Sequence, residues 1–538
     1  MESVPSEAMR TASPKAYGHF LKANAYRFQG QLPEALSEIE KAVEADPDSY
    51  LLLSYLASLY LQSGQLEKAA QASEKALSMD PESISMLMLT AGIYSSLKQY
   101  DDAIELYEKV LKRDPGQNEA YIFLGTLYMQ QGQTDKSIEL FEKLSRKKGQ
   151  EGLGSYYLGR IYANKKEFKR SRKYFKKAIR NNPDFMQAYL SLGSVYEIEE
   201  KPEKAIKVYT RALKVNPHQT QIQQRLSLLY IQGNQLDKAL DQLKQVSEME
   251  PNNADAHLKV GLLHIQQGNL DRAVEELRIV LALEPDNPKA HFYLGAAYEG
   301  LDKLDLAEKE YLAVLSQTPD DMNTVLRLAQ LYQKMEELEK AATLLTKTRE
   351  KVPDNVDLLF YLGMIYSQME ENDKAIETIE EAIRLDGEND SLYFQLGMIY
   401  ERQKRFDDAV AAFQKVIELN PVNSNALNYI GYLYAEEGIK LDEAENLIKR
   451  ALEIKPEDGY YQDSLGWIYY KMGRFKEAVK FLERANRNLP GDPVVTEHLG
   501  DAYFKAGYRS KAIEFWNKAL ETDPENESLQ EKLKRESP

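Results

Sequence analysis

The sequence predicts an all-α solenoid built from one two-helix unit used fifteen times. Three observations carry this reading. One motif recurs every 34 residues between residues 16 and 526. Four of its columns hold nearly fixed residue types. The apolar spacing within each half is helical rather than alternating. The repeats begin at residues 16, 50, 84, 118, 152, 186, 220, 254, 288, 322, 356, 390, 424, 459 and 493, and only the thirteenth is longer, by one residue.

Each element has a physical warrant. In the first helix the eighth position is always small (Ala23, Ala57, Gly125, Gly193, Gly397, Gly466, Gly500), which lets a second helix cross closely. The eleventh is Tyr in every repeat except at His264; it fills the adjacent gap with area and a polar tip. Gly near position 15, as in Gly64, Gly132 and Gly473, suits the turn that follows. In the second helix the twentieth position is Ala or Ser, as in Ala35, Ala205 and Ala512, with Ala444 one place late in the long repeat. Position 32 is Pro in thirteen repeats and Gly149 or Gly387 in the others. Proline ends a helix by removing a donor and clashing with the preceding turn. Pro33, Pro202, Pro288 and Pro493 sit where a helix begins, where Pro is tolerated. One such pair cannot bury its apolar face alone, whereas stacked neighbours can.

The organisation follows. Residues 1–15 (MESVPSEAMRTASPK) hold too few apolar side chains to offset ordering entropy and read as a flexible leader. Repeats one to four occupy 16–151 and repeats five to fifteen 152–526, with a soft joint expected at the glycine-rich GQEGLG of 149–154. The inserted residue in 438–444 lengthens one turn. Residues 527–538 (ESLQEKLKRESP) read as a frayed capping helix.

Composition excludes several functions. Without Cys, neither a disulfide framework nor a cysteine metal site is available. No run of about 18 apolar residues occurs, and the leader lacks the apolar core of a signal peptide. There is no Walker-type loop, no G-x-G-x-x-G and no HExxH. His257, His264 and His291 fall near one another in the repeat register, but at positions facing the helix-pair interior, so core packing is favoured over metal. Acidic pairs such as Asp101–Asp102 and Asp407–Asp408 lie at helix starts, where negative charge is favourable. The expectation is a non-enzyme with no catalytic residue, metal or cofactor.

Charge is uneven. Residues 146–182 carry thirteen Lys/Arg against Glu151 and Glu167, a local +11 that leaves −27 on the rest of a chain of net −16. Lys165, Lys166, Lys169, Arg170, Arg172, Lys173, Lys176, Lys177 and Arg180 form the densest part. This is either a solvated helix face or a docking patch for an anionic lipid or acidic protein. Nucleic acid is disfavoured by the surrounding negative charge and the lack of a stacking surface.

The small–Tyr–Ala–Pro columns resemble the tetratricopeptide repeat (TPR) family over about 95% of the chain. The resemblance implies a right-handed superhelix whose first helices line a concave groove, with positions two, five, nine and twelve facing it. Position nine is small or polar early (Asn24, Ser58, Gly92, Thr126, Arg160, Ser194) and large and apolar late (Met364, Met398, Tyr432, Trp467). Phe360 and Phe394 lie four residues before the two methionines, and Tyr470 three after Trp467, on the same faces. These seven residues form the expected partner-binding groove, with Trp467 as an exposed anchor and Trp516, at position 24, in the core. Its expected occupant is an extended segment or amphipathic helix of another protein; self-association and internal packing are the alternatives. The carboxylate clamp of some family members is not matched: Asn24 fits one position, but Phe20 and Ser58 stand where Lys and Asn are needed.

The last three repeats, with NYIGYLYAEEG, DSLGWIYYKMG and EHLGDAYFKAG followed by AIEFWNKAL, resemble bacterial TPR proteins carried as outer-membrane lipoproteins. Some of those are adaptors between a periplasmic C-terminal-processing protease and its substrates. The resemblance implies a scaffold or adaptor, periplasmic or outer-membrane-associated rather than cytoplasmic, reaching a membrane only through a lipid anchor removed with a trimmed leader. The alternative is a structural subunit of an envelope assembly for polysaccharide export or pilus biogenesis.

Overall fold

The computed structural model describes residues 13–536. Among them the chain forms thirty-one helices, from α1 (Pro14–Phe28) to α31 (Glu527–Glu536), and no strand. Odd-numbered helices are the first members of the pairs and even-numbered helices the second. The described residues fall into two compact units, one ending at Ala256 and the other beginning at His257. None of the described helices is long and apolar enough to cross a membrane.

Close helix crossings explain the small eighth column. In the first unit, a Cβ added at Gly125, Gly159 or Gly193 would come within 2.3, 2.6 or 2.1 Å of the rings of Phe141, Phe175 and Tyr209. In the second unit, Gly397 meets Phe413 and Gly500 meets the Trp516 indole at 2.7 and 2.5 Å. Position 24 of the second helix therefore fills the space that position eight vacates. Trp516 is buried there, as its register implies, and its Nε1 donates to Asp501 Oδ1 at 2.8 Å.

The tyrosine column joins successive repeats. Tyr60, Tyr94, Tyr400 and Tyr503 donate to Glu40, Glu74, Glu380 and Glu483 of the preceding second helix, at 2.5, 2.9, 3.4 and 2.5 Å. Burial, then the glutamate acceptor, pushes the Tyr94 phenol up to about 12, so it stays a donor at neutral pH.

The turn inside each pair needs one left-handed residue. Gly30, Gly64 and Gly132 supply it at φ of 76°, 76° and 72°. Lys98, Glu200, Glu336 and Lys404 adopt the same region at 63°, 54°, 60° and 58°, with the Cβ strain that Gly avoids. In the long repeat the extra residue sits between α25 (Ser424–Glu437) and α26 (Leu441–Ile454), where Gly438 and Lys440 are both left-handed.

Of the leader expected over 1–15, only Ser13, Pro14 and Lys15 are among the described residues. Ser13 Oγ accepts from the Ala16 amide at 3.1 Å and Pro14 opens α1; residues 1–12 lie outside the described residues. At 149–154 the glycines differ: Gly149 is left-handed at φ 84° with open space around it, whereas Gly152 and Gly154 are closely packed. A Cβ on Gly154 would sit 2.4 Å from the Ser145 nitrogen and 2.8 Å from the Phe141 carbonyl oxygen, and one on Gly152 would sit 3.2 Å from Asn182 Cβ. At the other end α31 is a ten-residue helix with Leu529 and Leu533 buried, so it covers the apolar end of the last pair.

Three histidines each pair with a glutamate on the second helix of their own repeat. His257 and His291 pair through Nδ1 with Glu276 and Glu310 at 2.6 Å each, and His19 repeats the pattern with Glu38 at 2.7 Å. His264 is buried in the tyrosine column. No group of metal-ligating residues occurs among the described residues.

Candidate partner-binding grooves

The seven expected groove residues stand on four first helices of the second unit, α21 (Val356–Gln368), α23 (Asp390–Arg402), α25 and α27 (Gly459–Lys471), and α29 (Pro493–Lys505) contacts them through His498. Phe360, Met364, Phe394, Met398, Tyr432, Trp467 and Tyr470 are all half-buried. Five of them, Phe360, Phe394, Met398, Trp467 and Tyr470, pack with one side against the buried core. Phe394 meets Phe413 edge-on at 5.4 Å and Tyr429 at 5.7 Å.

Trp467 differs from the free anchor the sequence suggests. Its ring stacks on Tyr470 at 4.7 Å and on His498 at 3.9 Å, nearly parallel to both. Its Nε1 donates to Glu436 Oε1 at 2.5 Å, and Lys471 Nζ lies 5.1 Å from the ring centre. Beneath it, His498 Nδ1 lies 3.0 Å from the buried Asp463 carboxylate. Burial opposes a charge on His498, but the charge and hydrogen bond of Asp463, with Asp501 and Glu436, outweigh it and raise the imidazole above its ordinary value.

One functional column escaped sequence reasoning: position six of each first helix. Where its side chain is long, as at Tyr55, Tyr361, Tyr429 and His498, it reaches back onto position five or nine of the repeat before. In the first unit Tyr55 donates to Asn24 Oδ1 at 3.0 Å and meets Phe20 edge-on at 5.2 Å. In the second unit Tyr361 accepts from Gln330 at 2.8 Å, Tyr429 packs on Phe394, and His498 covers Asp463 and Trp467. Lys532 of α31 continues the series, 2.8 Å from Glu497 and 2.7 Å from Asp501. Burial works against the Lys532 charge, yet Asp501 and Glu497 raise it. The signal was in the sequence, but its partners lie 31 or 35 residues away.

The groove of the first unit has another chemistry. Between repeats five and seven is a cleft of about 250 Å³ lined by Arg160, Asn164, Ser191, Ser194, Gln221 and Arg225 among others. Arg160 lies 5.9 and 5.6 Å from the ring centres of Tyr156 and Tyr157, and Arg225 pairs with Glu197 at 3.3 Å.

The basic patch lies on α10 (Phe168–Asn181) and the turn before it. Arg172 pairs with Glu199, Arg170 with Glu167 at 2.8 Å, and Lys165 with Glu167 at 3.7 Å. Lys176 lies 5.8 Å from the Tyr196 ring centre. Lys166, Lys169, Lys173, Lys177 and Arg180 have no ion-pair partner among the described residues, and all but the half-buried Lys177 are exposed.

The fold and its grooves define a helical-repeat protein of the class that binds other proteins. Tetratricopeptide repeat models match residues 198–263, 261–321, 326–390, 391–423, 461–487 and 497–526. The model described as tetratricopeptide repeat protein 21 N-terminal ARM repeat matches 1–195. The chain belongs to the tetratricopeptide repeat family, and its repeats support a protein–protein interaction scaffold. No curated protein matches the chain. Among solved structures, the Cut9–Hcn1 hetero-tetramer of the APC/C is similar at 18% identity and TM-score 0.39, over 92% of this chain and 97% of that one. MamA is similar at 25% identity and TM-score 0.29, over 31% and 90%. Naa15/Naa10 bound to HypK-THB is similar at 14% identity and TM-score 0.29, over 97% and 96%.

Proposed function

We propose that this protein is a non-catalytic adaptor that holds a segment of a partner protein against Phe360, Met364, Phe394, Met398, Tyr432, Trp467 and Tyr470. The supporting observation is the run of large apolar side chains at positions five and nine of successive first helices. All seven are half-buried, and five of them pack against the core. Such patches mark interaction sites, aromatic residues are favoured anchors, and methionine adapts to varied partners. The unpaired lysines of α10 are a second docking surface for an acidic partner, and holding two partners raises their effective concentration without new chemistry.

A photo-crosslinking residue at Met364 or Met398, introduced in the native cell, tests the groove. The reading requires a discrete adduct at these positions that is absent at Ser58 and lost on Phe394→Ala. Equal labelling at all three positions, or none, would overturn it. The adduct also separates two finer readings. A C-terminal-processing protease or its cell-wall hydrolase substrates would fit the envelope adaptor suggested by the last three repeats. Polysaccharide-export or pilus components would fit the structural subunit.

A further inference from the structure

We propose that the groove of the second unit takes a basic segment, seating one of its Lys or Arg side chains over Tyr432 between Glu401 and Glu436. This rests on the groove-docking reading above and names the chemistry of the occupant. The argument starts from position six. At the junctions of repeats one–two, ten–eleven, twelve–thirteen and fourteen–fifteen, and again at α31, a long side chain at this position covers positions five or nine of the repeat before. Tyr55, Tyr361, Tyr429, His498 and Lys532 play that part. At the junction of repeats thirteen and fourteen the position is Ser464, which is short and buried.

The groups left without that cover are Asn428 at position five and Tyr432 at position nine. Asn428 Oδ1 is buried and accepts no hydrogen bond. Glu436 stands one turn after Tyr432 on α25, and Glu401 precedes Tyr432 by 31 residues, the same offset at which Glu436 meets Trp467; in keeping with this, burial, followed by the charges of Glu436, Asp463 and Glu401, pushes the Tyr432 phenol up to about 12. Asp463 is matched by His498. Glu401 and Glu436 have no ion-pair partner among the described residues. Glu436 accepts from Trp467, and the nearby Lys471 Nζ donates instead to the Glu436 main-chain oxygen at 3.3 Å.

The place therefore offers what a cationic side chain needs: an aromatic face, two carboxylates and a carbonyl oxygen short of a donor. The molecule already shows the fit two junctions later. There Lys532 sits on Glu497 and Asp501, 6.0 Å from the Trp516 ring centre. The apolar side chains of Met398 and Phe394 on the preceding helix would take the residues flanking the cation.

The test is fluorescence anisotropy with the full chain and three labelled twelve-residue probes. These alternate Leu with Arg, with citrulline or with Glu. The expected result is binding of the Leu/Arg probe alone, weakening as salt rises and falling at least tenfold in Glu401→Gln/Glu436→Gln. Asp305→Asn/Asp320→Asn, which removes two exposed carboxylates elsewhere, should leave it unchanged. Equal binding of the citrulline probe, lost on Phe394→Ala, would overturn the cation seat and keep the apolar groove. Failure of every probe to bind would count against both. Self-association that disappears in the Glu401→Gln/Glu436→Gln variant would make the occupant a second copy and overturn the assignment to a partner.

Discussion

The two units are built from the same repeat but start their helices differently. In the second unit the first helices from α17 (Pro288–Gly300) to α29 open on Asn287, Asp321, Asn355, Asn389, Asn423, Asp458 and Asp492, and every one of these side chains accepts from an amide of the first turn. In the first unit Ser13, Ser83 and, at its very end, Asn253 do so. Ser49, Gln117, Gln150, Phe185 and Gln219 stand at helix starts without a side-chain cap bond. A cap is worth about 1 kcal/mol, so the second array is better specified locally. It also carries the large apolar groove residues. A binding constellation gains from rigid supporting helices, whereas the first array combines fewer caps with a small, polar groove column and the basic face of α10.

The largest expected effect tests whether the units behave separately. Phe413 is fully buried and fills the gap left by Gly397, so Phe413→Ala should cost about 3–5 kcal/mol. Amide hydrogen exchange should lose protection between 257 and 536 and keep it between 13 and 256. Equal loss in both would dissolve the division. Next is Gly193→Ala in the first unit, where the new methyl group meets Tyr209 at 2.1 Å. Overpacking of this kind costs about 1–3 kcal/mol, read as a lower denaturation midpoint. The cap difference comes third. Asn355→Ala should lose about 1 kcal/mol, and Gln219→Asn, which supplies a missing cap, should gain up to about 1 kcal/mol. If Gln219→Asn brings no gain, the uncapped starts are satisfied in another way and the contrast between units weakens.

Much of the fold could be read from the sequence because its determinants recur within one repeat. The Gly–aromatic crossing, the tyrosine column and the proline stop all sit at fixed offsets, and so does the placing of Trp516 in the core. What could not be read depends on the neighbouring repeat. Trp467 falls in the groove column by its register, but its engagement by Tyr470, His498 and Glu436 needs residues from three helices. The left-handed turn was legible at Gly64 and not at Lys404 or Glu336, because those residues adopt it against their own preference. The caps were present as Asn and Asp before each first helix, yet their consistency appears only when the two units are set side by side.

The smallest expected effect concerns His498, and it separates a structural Trp467 from a free one. The imidazole faces Asp463 directly, with Asp501 and Glu436 nearby, and its folded value lies above the ordinary 6.5. A raised histidine adds stability that is fully present below the unfolded value and is lost as pH rises through the folded one. The effect is modest because burial opposes the same charge. Wild type should therefore exceed Asp463→Asn in denaturation midpoint by more at pH 5.5 than at pH 8.5, roughly one unit or more to either side of the ordinary value. In Trp516→Phe, where Trp467 is the remaining indole, its emission should change over the same titration, because the ring stacked on it gains or loses a proton. Emission that ignores pH and is freely quenched by iodide would mean the stack opens in solution. Trp467 would then be an exposed anchor, as its column alone suggests, and the second unit's groove would present one more open aromatic surface to its partner.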